Sequence, residues 1–184
     1  PGRVETAAYY RQRRGIPEAN VIEVAFDHEG ASLPREAFER LRAEVQRRLP
    51  PGIRAFALAW TRPWRAGCMG ITSAFAFGYD EAFCSQACAA TRASGYFDGG
   101  AGLPAGLPLP RPAMLLAGET MEEVRRLIDR GVASDFTYPR GTVYLVRTGD
   151  VARNVRAALY PVAQQRVPAL RFELLAADEA LRRD

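Results

Sequence analysis

The sequence predicts an α/β fold, an open, mainly parallel sheet of about four to five strands with helices on both faces. Strand-sized apolar runs alternate with amphipathic helical segments along the chain, which is the pattern of βαβ units. The runs are also nearly continuously apolar, as expected of parallel strands that are buried on both faces. With 184 residues, the chain is predicted to form a single domain over residues 1–184.

The N-terminal segment predicts a helix followed by a strand. An amphipathic pattern covers Val4–Arg14 and ends at Gly15 and Pro17, residue types that commonly stop a helix. Val21–Phe26 is rich in apolar and β-branched residues, and we expect it to form the first strand.

A second helix and a second strand follow. Ser32 is the expected N-cap and Pro34 fits the first helical turn. Apolar residues then recur at steps of three and four, at Phe38, Leu41, Val45 and Leu49. After a Pro-Pro-Gly turn, Ile53–Trp60 reads as a buried strand.

The C-terminal part continues the alternation. The predicted elements are the strand Pro112–Ala117, a helix that opens at the capping box Thr120–Glu123 and ends near Gly131, the strand Thr142–Val146, a helix capped by Asp150, the strand Leu170–Leu175 and a last helix from about Asp178.

The stretch from Thr61 to Arg111 (61–111) interrupts this order and is predicted to be a long insertion, rich in glycine, proline and aromatic residues. It holds all 3 cysteines of the chain, Cys68, Cys84 and Cys88. A loop of that length inside a compact domain is usually functional or braced. We therefore expect one disulfide, and the sequence leaves all three pairings open. The alternatives are buried thiols, a metal site and a nucleophilic cysteine.

The composition excludes several classes of site. All 25 basic residues are arginine, so the chain has no P-loop, Schiff-base or kinase-type lysine. A single histidine and poor cysteine spacing argue against zinc, and no metal or cofactor is predicted. The arginines form no basic stripe, so the net charge of +4 does not indicate nucleic-acid binding. No apolar run is long enough to span a membrane.

Polar residues follow two of the predicted strands, at the edge of an open sheet where ligands gather. Arg62 and Arg65 follow the second strand, and Arg147 and Thr148 follow the fourth. Guanidinium groups beside capped helix N-termini suit a small anion, so these four residues are the candidate binding site. The alternative interpretation is a set of helix caps and surface charges.

Two residues, His28 and Cys68, are the candidates for catalysis. A cysteine nucleophile needs a base, and His28, which follows Asp27, is the single imidazole of the chain. Ser73 lacks the Gly-x-Ser-x-Gly motif of serine hydrolases, and Gly99–Gly102 precedes prolines instead of a helix. The sequence therefore predicts neither a serine hydrolase nor a dinucleotide site.

Several blocks resemble a family of uncharacterised, typically secreted bacterial proteins. The most specific block is Cys68–Gly78. The others are Tyr9–Tyr10, Arg14–Pro17, Asn20–Ile22, Ala59–Pro63, Arg111–Gly118, Leu127–Asp135 and Arg153–Arg156. The resemblance implies that this chain is the N-terminal portion of a longer protein, with a strand before Pro1 and an α/β half after Asp184. It also implies a loose similarity to the caspase and gingipain-like peptidase fold, which does not fix function.

These observations predict an exported domain of the periplasm or the cell exterior, because disulfides persist in oxidising compartments. The domain is expected to bind an unknown protein or a small anionic ligand through its disulfide-braced insertion, whose aromatic residues supply contact area. The alternative is a part of a peptidase-like hydrolase whose active centre is completed by a missing C-terminal half.

Overall fold

The computed structural model describes residues 2–26, 29–85, 89–94, 110–137 and 141–176. The fold is mixed α/β, and the chain divides into two compact units, Pro1–Asp135 and Phe136–Asp184. The helices of the first unit are α1 (Arg3–Arg14), α2 (Arg35–Arg48), α3 (Ile71–Phe77) and α4 (Met121–Ala133). Its strands are β1 (Ser32–Leu33), β2 (Phe56–Leu58), β3 (Arg65–Ala66), β4 (Met69–Gly70) and β5 (Ala113–Leu115). Short 3-10 turns cover Glu18–Asn20 and Glu81–Phe83.

The strands of the described residues pair in three small sheets. In the first unit, β2 and β5 are parallel, with Phe56 opposite Ala113 and Leu58 opposite Leu115. A second sheet has β3 at its centre, parallel to β1 and antiparallel to β4. The predicted parallel pairing is therefore present, within sheets that are smaller than the single predicted sheet.

The predicted first strand, Val21–Phe26, is extended but is not part of a ladder with any described residue. Its burial nevertheless alternates with the two-residue period of a strand. Ile22, Val24 and Phe26 are half-buried against the main core, while the residues between them are exposed. We call Val21–Phe26 the strand-like segment.

The first part of the predicted insertion is not irregular, because Thr61–Phe77 contains β3, β4 and α3. Five of the ten buried residues in the main core cluster come from it, namely Ala66, Met69, Ile71, Ala74 and Phe75. The Phe75 ring has its centroid 5.2 Å from that of Phe38, 5.9 Å from that of Phe56 and 6.2 Å from that of Trp60. This segment is therefore part of the core of the first unit.

The start of α2 differs from the prediction. Ser32 does not cap the helix, because it lies in β1, where its hydroxyl donates to the carbonyl of Gly67 at 3.2 Å. Pro34 is the N-cap residue, and its carbonyl accepts the N–H of Phe38 at 3.0 Å. Phe38, Leu41 and Val45 then face the core as predicted.

Helices α1 and α4 are joined by polar contacts above a small apolar cluster of Leu116, Val124 and Ile128. The Tyr9 hydroxyl donates to the Asp129 carboxylate at 2.9 Å, and the Arg13 guanidinium pairs with the same group at 2.7 Å. The hydrogen bond to Asp129 is the main reason why the pKa of Tyr9 is raised.

The predicted capping box at the start of α4 is confirmed. The N–H of Glu123 donates to the Thr120 hydroxyl, and the Glu123 carboxylate accepts the N–H of Thr120, both at 3.2 Å. The helix extends two residues beyond Gly131, the predicted end, to Ala133.

The second unit is a βαβ arrangement. Its elements are β6 (Thr142–Arg147), α5 (Val151–Asn154), a 3-10 turn (Val155–Leu159), α6 (Tyr160–Arg166) and β7 (Arg171–Ala176). The two strands are parallel over six residue pairs, and the Tyr160 hydroxyl donates to the carbonyl of Val146 at 3.2 Å. The last predicted helix, near Asp178, lies outside the described residues.

Replacement of Phe75 by alanine tests whether the predicted insertion belongs to the core. Phe75→Ala should lower the free energy of unfolding, measured by urea denaturation, by about 3–5 kcal/mol, because a buried ring is replaced by a cavity. Phe77→Ala is the matched control, since Phe77 lies on the same helix and is 43% exposed, and it should cost less than about 1 kcal/mol. Equal losses would show that α3 does not anchor the core.

Candidate functional site

The candidate anion-binding residues belong to different units. Arg62 and Arg65 lie in the first unit, while Arg147 and Thr148 lie in the second. A single site that contains all four residues therefore stays a prediction, and each pair is described within its own unit.

Residues 61–65, here called the Arg62–Arg65 loop, are held to the first unit by backbone and side-chain hydrogen bonds. The Thr61 hydroxyl donates to the carbonyl of Gly118 at 3.2 Å, and the Trp60 indole N–H donates to the carbonyl of Pro63 at 3.0 Å. The backbone N–H groups of Trp64 and Arg65 donate to the carbonyl of Ala31 at 3.0 and 3.1 Å. Together with the fully buried ring of Pro63, these bonds fix the backbone of the loop.

The fixed loop displays two guanidinium groups and an indole ring. The Cζ atom of Arg62 lies 5.1 Å from the ring centroid of Trp64, which is 42% exposed, in cation–π geometry. Arg65 is exposed, and its Nη2 atom lies 3.5 Å from the carbonyl oxygen of Cys68. Neither arginine forms an ion pair with a carboxylate within the described ranges.

A disulfide joins Cys68 to Cys84, with a Cα–Cα distance of 5.8 Å. It connects the turn between β3 and β4 to the end of the 3-10 turn Glu81–Phe83, and it is one of the three pairings that the sequence left open. Closing a loop of 16 residues stabilises a fold by roughly 3 kcal/mol through the lost entropy of the unfolded chain. In this bonded form Cys68 has no thiolate, so it is not a nucleophile. Its predicted partner His28 and the third cysteine, Cys88, lie outside the described residues.

A close contact lies beneath the disulfide. Gly67 has a left-handed backbone (φ +51°), and a Cβ atom at this position would lie 2.5 Å from the Tyr79 hydroxyl. The sulfur of Cys68 is 3.6 Å from the same hydroxyl, and the Arg35 guanidinium covers the Tyr79 ring at 5.6 Å. Only glycine combines that backbone conformation with so close an approach.

Asp80 connects two further segments of the predicted insertion, which contain Ala82 and Arg92. Its carboxylate accepts the N–H of Ala82 at 2.9 Å and pairs with the Arg92 guanidinium. The N–H of Arg92 also donates to the carbonyl of Ala82 at 2.9 Å. The pKa of Asp80 is lowered, mainly by the hydrogen bond from Ala82 and further by the charge of Arg92.

In the second unit, Thr148 shapes the turn after β6. Its N–H donates to the Asn154 side-chain oxygen at 3.0 Å, its carbonyl accepts the Asn154 amide, and its hydroxyl accepts the N–H of Asp150 at 3.2 Å. These contacts support the alternative interpretation of this residue as part of a structural cap. Arg147 is exposed at the end of β6.

The sequence did not indicate an apolar groove of about 720 Å³ in the first unit. It is lined by α1, by the strand-like segment and by residues 53–60, together with Val45, Leu49, Phe75, Met114 and Leu116. We call it the β2 groove. The signal in the sequence was the alternation of Val21–Phe26, which predicted a strand but not that its edge would stay open.

Two further features are absent from the described part of the chain. No group of three or more His, Cys, Asp or Glu side chains there is arranged to hold a metal ion. None of the described helices is long and apolar enough to cross a membrane.

Comparisons with protein-family models, with curated proteins and with solved structures give no match to this chain.

Thiol counting tests the disulfide. Alkylation with iodoacetamide in denaturant without reductant should label 1 of the 3 cysteines, and labelling after reduction should reach all 3. Cleavage at Asp80 is needed to map the bridge, because no arginine separates the three cysteines. The fragment with Cys68 should remain linked to the fragment that holds both Cys84 and Cys88 until reduction, and tandem mass spectrometry should place the alkyl label of the unreduced sample on Cys88. Full labelling without reductant would contradict the bridge.

Acid titration tests the contacts of Asp80. Its folded pKa lies below the ordinary value of 3.8, so the stability it adds is complete at higher pH and is lost as the pH falls through the folded pKa. Asp80→Asn should therefore lower the Tm at about pH 7, and the difference should disappear as the pH falls through the folded pKa of Asp80. Arg92→Ala should give a smaller difference, since the bond from Ala82 remains. A difference that persists at low pH would show that Asp80 stabilises the fold in some other way.

Proposed function

We propose that this chain is a disulfide-braced binding module of the periplasm or the cell exterior, and that its Arg62–Arg65 loop contacts a carboxylate-bearing surface of a partner protein. One observation carries the proposal. Two guanidinium groups without ion-pair partners among the described residues flank an exposed indole ring on a backbone fixed by hydrogen bonds. Arginine and tryptophan are enriched among the few residues that contribute most of the binding energy of protein interfaces.

The rigidity of the loop supports a binding role. Binding costs less conformational entropy when the contacting side chains are already held in place. The buried Pro63 and the two bonds to Ala31 hold the loop on one side. The Cys68–Cys84 bridge holds the adjacent β3–β4 turn on the other.

The disulfide also supports the proposed location. Disulfides persist in the periplasm and outside the cell and are rare in the reducing cytosol. The proposed membership in a secreted bacterial family agrees with this location. The parallel pairing of β2 with β5 and the strand-like segment are consistent with an open, mainly parallel sheet with helices on both faces, which we include in the proposal.

No observation favours the alternative of a peptidase-like hydrolase. That mechanism requires a thiolate at Cys68, and the Cys68 sulfur is bonded to Cys84. A small inorganic anion as the ligand has less support than a protein surface, because an anion would not use the exposed Trp64 ring.

Binding to immobilised poly-glutamate, a carboxylate-bearing probe, tests the proposal. The double variant Arg62→Ala/Arg65→Ala should bind about tenfold more weakly, since two charge contacts are lost. Arg40→Ala/Arg47→Ala on α2 removes the same charge from exposed positions elsewhere and should bind like the unmodified chain. Trp64→Ala should weaken binding less than the double variant does, because it removes only the cation–π contact that holds Arg62 in place. Equal losses in the two double variants would show attraction by net charge alone and would refute a site at this loop.

A further inference from the structure

We propose that the β2 groove accepts an extended strand of a partner polypeptide, apolar along its length and flanked by carboxylates, which pairs with the open edge of β2. The groove is a separate surface from the Arg62–Arg65 loop, whose side chains do not line it. The proposal therefore does not depend on the function assigned to that loop.

The first argument is the open edge of β2. Phe56 and Leu58 use their backbone groups to pair with β5, through the bonds from the Phe56 N–H to Pro112 (2.8 Å) and from the Leu116 N–H to Leu58 (2.9 Å). Successive residues of a strand direct their backbone groups to opposite edges. Ala57 therefore directs its N–H and C=O away from β5, and no described residue bonds them. This edge can take up a further strand.

The second argument is the strand-like segment, which borders the same groove. Its alternating burial is that of a strand, yet it has no strand partner within the described ranges. The carbonyl of Glu23 accepts a bond from Arg48 at 2.5 Å. The backbone groups of Ile22 and Val24, which point to the other edge, have no described partner. Two open strand edges in one groove favour a strand over a compact ligand, because only a strand offers donors and acceptors along its whole length.

The apolar lining defines the side chains of the occupant. Val4 and Ala7 of α1 line the groove together with Val45 of α2 and Leu49, which follows α2. Val4 is 73% exposed in the open groove, and a strand with apolar side chains would cover it. Covering apolar surface removes it from water and so stabilises the bound strand.

Charge complementarity defines the flanks of the occupant. Arg11 and Glu18 line the groove as a pair, with 3.8 Å between Nη1 and Oε2. Arg3 and Arg54 also line it, and neither has a carboxylate partner in the described part of the chain. Glu23 is the remaining charge, so cations exceed anions. A strand with carboxylates beside its apolar residues balances this excess.

The test uses a short fluorescent peptide of valine and isoleucine that ends in two aspartates. Its fluorescence anisotropy is measured as the whole chain is added. The peptide should bind, and isotope-edited infrared spectra should place its amide band at the frequency of a β-sheet. An otherwise identical peptide with methylated backbone nitrogens keeps the side chains and loses the donors. It should bind about tenfold or more weakly, which corresponds to about 1.4 kcal/mol.

Variants of the chain supply the second comparison. Ala57→Pro removes the N–H that faces the groove and leaves the pairing of Phe56 and Leu58 with β5, whereas Ala57→Val keeps that N–H. The proline variant should lose binding about tenfold relative to the valine variant, and thermal unfolding checks that both fold. If Ala57→Pro does not fold, the methylated peptide decides the question on the unmodified chain.

Three results would overturn the proposal. The first is no binding of the peptide at millimolar concentration, and the second is equal binding of the methylated peptide, which would indicate an apolar pocket without strand pairing. The third is a dimer in light scattering whose formation blocks the peptide, because the occupant would then be a second copy of this chain. Loss of peptide binding in Arg3→Glu/Arg54→Glu, with recovery for a peptide that ends in two lysines, would support the carboxylate flank.

Discussion

The packing of the Phe75 ring against Phe38, Phe56 and Trp60 is the contact on which the first unit depends. It joins α3 to α2, to β2 and to the residue that precedes the Arg62–Arg65 loop. Because α3 follows β4 directly, the position of Phe75 also determines where the β3–β4 turn lies. The proposed binding surface, the Arg62–Arg65 loop, therefore follows directly on a residue that is held in the core. The Cys68–Cys84 disulfide constrains the β3–β4 turn in addition.

The disulfide and the core have different parts in this arrangement. Apolar burial selects the position of α3, whereas the bond between Cys68 and Cys84 limits the conformations of the chain that follows it. Gly67 makes the packed position of α3 compatible with the Cys68–Cys84 bond, because the Tyr79 hydroxyl occupies the space that a Cβ atom at residue 67 would need. Polar side chains complete the segment, in particular Asp80, which holds Ala82 and Arg92 together.

Helices α1, α2 and α4 of the first unit could be predicted well, and α3 and the strand pairing less well, for physical reasons. The helical repeat of α2 and the capping box of α4 are local signals that tertiary contacts did not override. Ser32 was assigned to a helix cap because its competing partner, the carbonyl of Gly67, is 35 residues away. Helix α3 was missed because glycine, proline and aromatic residues around Ile71–Phe77 resemble a loop. The candidate site stays a prediction: Arg62 and Arg65 are exposed, while Thr148 forms hydrogen bonds within its own turn.

The open edge of β2 has a further consequence for the chain when nothing is bound to it. Unpaired strand edges template aggregation, and a segment such as Val21–Phe26, rich in β-branched residues, adds to that hazard. The charged residues Glu23 and Arg54 line the groove that this edge borders, and charges beside a strand edge hinder the stacking of identical strands. We expect Glu23 and Arg54 to disfavour pairing between the open edges of two copies of this chain. The same backbone groups stay open to a strand of a different sequence.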